Sequence, residues 1–172
     1  MKLSLTHNSA FMTLTYKPAI DQWTLNKEPI ELGSLVIMPA SIKTGWVRFT
    51  PGAAPDWQWD EAPGKASAPP SGDHKRGFSI EVETAAHGKM EWSGAGYGQC
   101  AALEALMEEI SASEADHPGK LPVAVYCSSE VRKVGKGSTR IPRFEIVDWL
   151  APGLAHTLIE KHEPVICDDP PF

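Results

Sequence analysis

One stretch of this 172-residue chain has the apolar spacing of an amphipathic helix. It runs from Gln99 to Ser113, and its apolar positions are Cys100, Leu103, Leu106, Met107 and Ile110. This i, i+3, i+4, i+7 spacing places the apolar side chains on one face of a helix. A doubly wound α/β fold needs several such helices, so a chain with one strong helix is predicted to belong to another class.

The other strong patterns are short runs typical of β-strands. The predicted strands are Ser34–Ala40, Trp46–Phe49, Phe78–Glu83, Leu121–Cys127 and Ile141–Leu150, with Lys89–Trp92 as a further short candidate. In the third run, apolar and polar residues alternate, which predicts that Phe78, Ile80 and Val82 face inward. Residues 1–33 give no clear prediction.

The predicted order is three strands, one helix and two strands. Five strands with one helix between the third and fourth match the OB-fold, a partly open, five-stranded Greek-key barrel. A β-sandwich would fit the strands but not the helix. The fold class is therefore predicted to be mainly β and OB-fold-like.

Residues 50–77 are predicted to form a long mobile loop. These 28 residues include 5 Pro, 4 Gly and 5 Ala, so half of them are turn formers or minimal side chains. The length of the chain suits one domain. We expect residues 1–152 to form an OB-fold-like domain and residues 153–172 to form an acidic C-terminal tail.

The sequence argues against a secreted or membrane protein. It has no run of the ~18 apolar residues that a membrane span needs, and its first residues are too polar for a secretory signal. Its 3 cysteines are too few and too scattered for a disulfide framework. A reducing cytoplasm is the simplest setting.

The last residues combine negative charge, stiffness and an aromatic side chain. They are Asp168, Asp169, Pro170, Pro171 and Phe172. The aromatic ring can fill an apolar pocket of a partner protein while basic residues of that partner bind the carboxylates. The two prolines lower the entropy lost on binding. The pattern predicts a partner-binding tip.

This tip resembles that of bacterial single-stranded DNA-binding proteins. Their tails end in Asp-Asp, one apolar residue and Pro-Phe, and here Pro170 stands where the family usually has Ile. The resemblance covers about six residues, and the family's core motifs and long linker are absent. It implies a divergent relative, encoded by a phage or mobile element, that recruits replication and repair enzymes through its tip.

A basic stretch lies between the last two predicted strands. It is the polar connection 128–139 and the start of the next strand, and its cations are Arg132, Lys133, Lys136, Arg140 and Arg143. The whole chain has a net charge of −6, so these cations are locally concentrated. In an OB-fold, this connection is one wall of the nucleic-acid groove. The stretch is predicted to follow phosphates, although a solvated hairpin tip would show the same pattern.

Six tryptophans are many for this length. Trp46 and Arg48 share one face of a predicted strand whose other face carries Val47 and Phe49, an arrangement suited to base stacking with support from a cation. Core packing remains the alternative for each tryptophan. The remaining candidates are Trp57 and Trp59 in the Pro/Ala-rich loop, Lys75 and Arg76 at its end, and Tyr126 on a later strand.

We find no complete sequence motif for catalysis or for cofactor binding. The glycines from Gly94 to Gly98 do not complete a dinucleotide-binding pattern, and residues 135–138 do not complete a Walker A loop. No Cys or His spacing suits zinc, and no nucleophile and base stand out. The sequence predicts a non-enzymatic protein that binds single-stranded DNA without a cofactor. A single OB-fold has a short footprint, so tight binding would favour a homo-oligomer of two or more chains. The alternative is an OB-fold protein-interaction module or inhibitor that docks on a host replication factor.

Overall fold

The computed structural model describes residues 11–160, and this part of the chain is mainly β with one long α-helix. The strands are β1 (Met12–Lys17), β2 (Gln22–Leu25), β3 (Glu28–Ile30), β4 (Ser34–Ile37), β5 (Lys43–Arg48), β6 (Asp56–Trp59), β7 (Lys75–Thr84), β8 (Gly88–Ala95), β9 (Leu121–Val134) and β10 (Gly137–Leu150). The helix α1 spans Tyr97–Ser113. Short 3-10 turns cover Pro18–Ile20, Pro39–Ser41, Glu114–Asp116 and Ala155–Glu160. Within residues 11–160, no helix has the length and apolar character to cross a membrane.

The strands form one mixed sheet. Its order is β10-β9-β4-β7-β8-β1-β2-β3, and β5 lies off this path, paired with β7 and β6. Strand β1 runs parallel to β8, and the other pairings are antiparallel. The prediction of a mainly β fold with one helix is confirmed. A five-stranded barrel is not confirmed, because ten strands form this sheet and β1 to β3 come from a region without a prediction.

Strand β7 organises the sheet because two successive strands pair along it. Its first half pairs with β5 and its second half with β4. The turn between these two strands is fixed by Ser41, whose hydroxyl donates to the carbonyl of Met38 at 2.6 Å and accepts the Glu81 amide at 2.8 Å. The chain 34–48 therefore runs along β7 as a bent, nearly continuous strand.

The core lies between this sheet and α1. Phe78, Ile80 and Val82 of β7 are buried, as their alternation predicts. The helix contributes Leu103, Leu106 and Ile110, also as predicted. Rings from several strands meet in the same cluster, and the side chains of Trp92 and Phe78 pack edge to face with centroids 5.2 Å apart. Burial of this cluster is the main stabilising contribution to the fold.

The predicted loop 50–77 contains regular structure and must be corrected. Strand β6 lies within it, and β7 begins at Lys75 rather than Phe78. Strand β6 pairs with β5, and two glycines leave the space that this pairing needs. A Cβ at Gly45 would lie 2.5 Å from the Gln58 carbonyl oxygen, and one at Gly77 would lie 2.9 Å from the Trp57 ring. The parts of residues 50–77 that lie outside β6 and β7 contain no strand.

The predicted connection 128–139 is also corrected, because it is the outer half of a hairpin. Strands β9 and β10 are 14 residues each and are joined by the two-residue turn Gly135-Lys136. Gly135 has a φ of +58°, which suits a tight hairpin turn. Residues 130–138 are all exposed, so neither face carries the apolar alternation by which a strand is predicted.

Part of the predicted tail packs on the domain. Ala155 and Leu158, in the last 3-10 turn, are buried against Val36 and Val123 of the sheet. The domain therefore continues past residue 152 to at least Leu158.

Candidate nucleic-acid interface

The strand β6 presents two stacked indole rings. Side chains two residues apart lie on the same face of a strand, and the rings of Trp57 and Trp59 stack with centroids 4.2 Å apart and planes 7° apart. Trp57 lies over Gly77, whereas Trp59 is 41% exposed. The ammonium group of Lys43 lies 5.8 Å from the Trp59 ring centroid. The pair therefore presents the Trp59 ring to solvent with a cation beside it.

Trp46 lies on the opposite face of the same hairpin. It stands across from Gln58 on β6 and Arg76 on β7. Its indole N–H donates to the Ser67 carbonyl at 3.0 Å, and the Arg76 guanidinium lies 5.2 Å from its ring centroid. The first contact holds the loop at Ser67 against the sheet, and Trp46 is thus engaged within the protein.

Arg76 is engaged as well, because a buried carboxylate binds it. The guanidinium forms two hydrogen bonds with Asp60, at 3.0 and 2.7 Å, and the Asp60 side chain is 0% exposed. The Thr44 hydroxyl donates to the same carboxylate at 2.6 Å and accepts the Gly64 amide at 2.8 Å. Hydrogen bonding by Arg76 lowers the pKa of Asp60, and the carboxylate raises the pKa of Arg76. A phosphate would have to compete with this pair for Arg76.

The neighbouring candidates have different surroundings. Arg48 is paired with Asp56 at 3.5 Å. Lys75 is exposed and forms no ion pair with any residue of 11–160. Phe49 was expected on an apolar inner face with Val47; Val47 is buried, but Phe49 is 61% exposed because β5 ends at Arg48. Phe49 is therefore an exposed aromatic residue beside this hairpin that the sequence did not indicate.

The β9–β10 hairpin does not place its cations on a single face. Residues directly opposite each other share a face and the faces alternate, so Arg132, opposite Thr139, and Arg143, opposite Ser128, lie on one face. Lys133, opposite Ser138, and Arg140, opposite Val131, lie on the other. Lys136 is in the turn. The predicted basic wall is thus a projecting arm with cations on both faces and at its tip.

The cations of this arm differ in how they are held. Arg132 binds Glu130 at 3.2 Å, and hydrogen bonds with Tyr97 and Glu130 raise its pKa. Arg140 donates to the Ser129 hydroxyl at 3.1 Å. Lys133 and Lys136 are exposed and form no ion pair within residues 11–160. The two lysines are the most available cations of the arm.

Tyr97 is a further exposed aromatic residue that sequence analysis missed. It is the first residue of α1, it is 55% exposed, and it lies close enough to Arg132 to raise the pKa of that guanidinium. In the sequence it follows Gly96 in a glycine-rich run whose only apparent role is to begin the helix. Its proximity to Arg132 follows from the extension of β9 and β10 through residues 128–139, which the sequence did not predict.

Tyr126 belongs to an internal aromatic cluster. Its ring packs edge to face with Trp23 and Phe144, with centroids 5.5 and 5.7 Å away. Its hydroxyl donates to Asp21 at 3.0 Å, and the Tyr16 hydroxyl donates to the same oxygen at 2.6 Å. These hydrogen bonds lower the pKa of Asp21, and burial raises the pKa of Tyr126. The contacts join β1, β2 and β9 rather than presenting Tyr126 to a ligand.

One hydrogen-bonded chain joins a serine, a histidine and an aspartate. His74 is buried, with Nδ1 2.7 Å from the Ser71 hydroxyl and Nε2 3.2 Å from the Asp56 carboxylate. The Asp73 amide donates to the same serine oxygen at 3.2 Å. The chain joins residues 71–74 to β6 and so positions the start of β7.

The five residues of the predicted partner-binding tip lie outside the described residues. They are Asp168, Asp169, Pro170, Pro171 and Phe172. Comparison of this chain with protein-family models, with curated proteins and with solved structures found no match.

Proposed function

We propose that the protein binds single-stranded DNA without reading its sequence, using aromatic stacking and cations. The observation that carries this proposal is the stacked Trp57–Trp59 pair on β6, in which Trp59 is exposed and has Lys43 beside it. A base with an accessible face can stack on an exposed indole whatever its identity, whereas a base in a duplex has both faces occupied. This favours single strands over duplex DNA.

The cationic arm supports the electrostatic part of the proposal. Lys133 and Lys136 are available to phosphates, and Arg132, Arg140 and Arg143 lie along the same hairpin. Part of the net negative charge of the chain comes from α1, whose solvent-exposed face carries Glu104, Glu108 and Glu109. The arm therefore carries positive charge although the whole chain is acidic.

We further propose that the central part of the sheet is an OB-fold-like unit. The strand order β9-β4-β7-β8 has the 4-1-2-3 arrangement of a Greek key. OB-folds bind oligonucleotides with the loops after their first and fourth strands. Here those connections are the segment between β5 and β7, which holds Trp57 and Trp59, and the β9–β10 hairpin.

A titration tests the proposal. The protein is titrated with oligo-dT, oligo-dA and a duplex of equal length, and tryptophan fluorescence is followed. We expect quenching and similar affinities with both single strands, and much weaker binding of the duplex. Equal or tighter duplex binding, or no change with any strand, would contradict the proposal. The second outcome would favour a protein-interaction module.

Recruitment of replication and repair enzymes through residues 168–172 is the second half of the proposed function. It predicts that deletion of Phe172 abolishes capture of those enzymes from a host lysate, because the deletion removes the large apolar anchor of the tip. Single-stranded DNA binding should persist. Capture of the same enzymes by intact and Phe172-deleted protein would contradict the recruitment hypothesis and leave DNA binding unaffected.

A further inference from the structure

An apolar cleft lies between α1 and the loop 60–74. Its volume is about 990 Å³, within the range of small-molecule sites. Phe78 and Leu103 supply buried apolar surface, together with the partly buried Met107. Small residues leave the space open, among them Ala101 on the helix and Ala66 on the loop. The cleft therefore has room and apolar surface for the body of a small molecule.

Hydrogen bonds hold the loop that forms one wall of the cleft. The Thr44 hydroxyl donates to Asp60, at the start of the loop, and accepts the amide of Gly64, which lines the cleft. The Trp46 indole donates to the Ser67 carbonyl further along the loop. These contacts fix the wall before a ligand arrives, as is usual for sites that bind small molecules.

Two cations of β7, Lys75 and Arg76, border the cleft, and neither gives it a free positive charge. Residues directly opposite each other on neighbouring strands share a face, and successive residues alternate between faces. Lys75 lies opposite Val47, which lies opposite Trp57, so the Lys75 side chain is on the face of the stacked indoles. Arg76 is on the other face, but the buried Asp60 binds its guanidinium at 3.0 and 2.7 Å.

The uncompensated charge of the cleft is negative. Glu104 lines the cleft from α1, is exposed, and forms no ion pair within residues 11–160. Burial raises the pKa of the Cys100 thiol, which also lines the cleft, to about 11, and the Glu104 carboxylate adds to this rise. The thiol is therefore uncharged at neutral pH, and the negative charge of Glu104 acts inside the cleft. A cationic group complements this wall.

An aromatic ring lies on the same side of the helix as this carboxylate. Tyr97 and Glu104 are about two helical turns apart, and both line the cleft. Aromatic faces attract cations, and substituted ammonium ions are recognised by aromatic side chains for this reason. Arg132, which lies close to Tyr97, is paired with Glu130 at 3.2 Å and does not line the cleft.

We propose that this cleft binds a small organic cation, with a substituted ammonium group between Glu104 and Tyr97 and an apolar body along α1. The proposal is independent of DNA binding, because the lining contains neither the stacked tryptophans nor the cations of the β9–β10 arm. The two proposed sites also take ligands of opposite charge.

Three ten-carbon probes test the proposal by calorimetric titration below their micelle concentrations. They are decyltrimethylammonium, decanol and decanoate, which share a chain and differ in the charge of the head group. We expect one decyltrimethylammonium per chain, weaker binding of decanol, and the weakest binding of decanoate. Several molecules per chain, no binding of the cation, or equal or tighter binding of decanol or decanoate would overturn the proposal.

Substitutions locate the binding site. Ala101→Trp and Ala66→Trp would fill the cleft from opposite walls, and each should weaken decyltrimethylammonium binding about tenfold or more, because the indole takes the space of the ligand. Ala112→Trp is the matched control, because Ala112 is exposed on the same helix and does not line the cleft. Far-ultraviolet circular dichroism establishes that each variant is folded. Unchanged affinity for the cation in a folded Ala101→Trp or Ala66→Trp variant would overturn the proposal.

The charge of Glu104 is tested separately. Glu104→Gln should weaken decyltrimethylammonium binding about fivefold, the loss expected for one exposed ion pair, and leave decanol binding nearly unchanged. Glu109→Gln is its control, because Glu109 is exposed on the same helix and does not line the cleft. Equal effects of Glu104→Gln on the cation and on decanol, or equal effects of the two variants on the cation, would overturn the assignment of the cationic end.

The ring of Tyr97 is tested by two variants. Tyr97→Leu should weaken binding of the cation about threefold and Tyr97→Phe should restore most of it, because a phenyl ring still attracts a cation. Equal affinities of the Leu and Phe variants for the cation would overturn the role of the ring. Ala101→Trp should retain affinity for oligo-dT, so failure of the cleft proposal and failure of DNA binding are distinguishable.

Discussion

The β5–β6–β7 hairpin region and the outer half of the β9–β10 hairpin differ in how their charged groups are held. In the first, Arg76 is bound twice by the buried Asp60 and lies against Trp46. In the second, residues 130–138 are exposed, and Lys133 and Lys136 have no ion pair within residues 11–160. A candidate cation in a fixed network contributes to the fold, whereas a free cation is available to a ligand.

Aromatic residues are found in the β5–β6–β7 region and are missing from the outer part of the β9–β10 arm. The β6 strand presents Trp59 and the stacked Trp57, and the β9–β10 arm has no tryptophan, tyrosine or phenylalanine between residues 130 and 138. If both regions bind one DNA strand, the first supplies stacking and the second supplies charge. Stacking is not screened by salt, and charge is, so the two contributions are separable by experiment.

The largest expected effect is on the cationic arm. Reversal of Arg132, Lys133 and Lys136 to Glu should lower the affinity for oligo-dT about hundredfold at low salt, because phosphate contacts and counterion release are lost. The slope of log affinity against log salt should become shallower by about 2 for three lost contacts to a single strand. Binding is measured between 50 and 300 mM salt, concentrations in the range that separates such effects.

The matched control for the arm reverses Lys65, Lys89 and Lys120, which changes the net charge equally at other exposed positions. If this control weakens binding as much as the arm variant, the effect comes from net charge, and the arm is not the DNA site.

The second effect compares the two arginines by stability. Arg76→Ala should lower the free energy of unfolding by about 2–3 kcal/mol, because it leaves the buried Asp60 carboxylate without its partner. Arg132→Ala should change that free energy little, because its pair with Glu130 is exposed. Urea unfolding measures both. Similar values would contradict the distinction between a cation held by a buried carboxylate and a cation paired at the surface.

Sequence patterns succeeded where apolar and polar side chains lie on different faces of an element. The period of α1 and the alternation of β7 are visible because each element keeps its apolar side chains on one buried face, and in β7 the residues between them are Ser79, Glu81 and Glu83. The same reasoning failed for residues 130–138, where both faces are exposed. It also failed for the short strands β2 and β3, of 4 and 3 residues, which are too brief to show a period.

The candidate site depended on contacts that sequence spacing does not reveal. Asp60 and Arg76 are 16 residues apart, and the space for Trp57 comes from Gly77. Tryptophans 57 and 59 were placed in a loop because prolines and alanines dominate that segment. The i, i+2 spacing of the two tryptophans is a sign of a strand. The strand β6 has only four residues, so this sign is weak beside the loop-like composition around it.

A third, intermediate effect concerns stacking. Trp59→Ala should weaken oligo-dT binding by about 1–3 kcal/mol, with a similar loss at low and high salt, because an apolar ring contact is not screened. Trp59→Phe should recover much of the affinity, since a phenyl ring still offers a face. Affinity is measured at 50 and 300 mM salt, as for the arm. A Trp59→Ala variant that binds normally at high salt would assign the indole pair a structural role.

The smallest effect is a pH dependence confined to the fixed region. The pKa of Asp60 is lowered in the folded protein, chiefly by the hydrogen bonds from Arg76. Its stabilising contribution is therefore complete above the ordinary carboxyl pKa of about 3.9 and is lost as pH falls through the lower pKa of the folded state.

Asp60→Asn should lower the free energy of unfolding by about 1 kcal/mol at pH 7. Below about pH 4 the free energies of unfolding of Asp60→Asn and of the original protein should become more similar. Protonation of Asp60 then removes its negative charge, which Asn does not carry at any pH. Asp21, whose pKa is also lowered, remains in both proteins, so each retains some loss of stability in acid. Urea unfolding from pH 7 to pH 2.5 measures the two curves over about the range in which these carboxyls titrate. Parallel curves would mean that Asp60 has an unperturbed pKa, and the distinction between the fixed and the free region would then rest on geometry without an electrostatic counterpart.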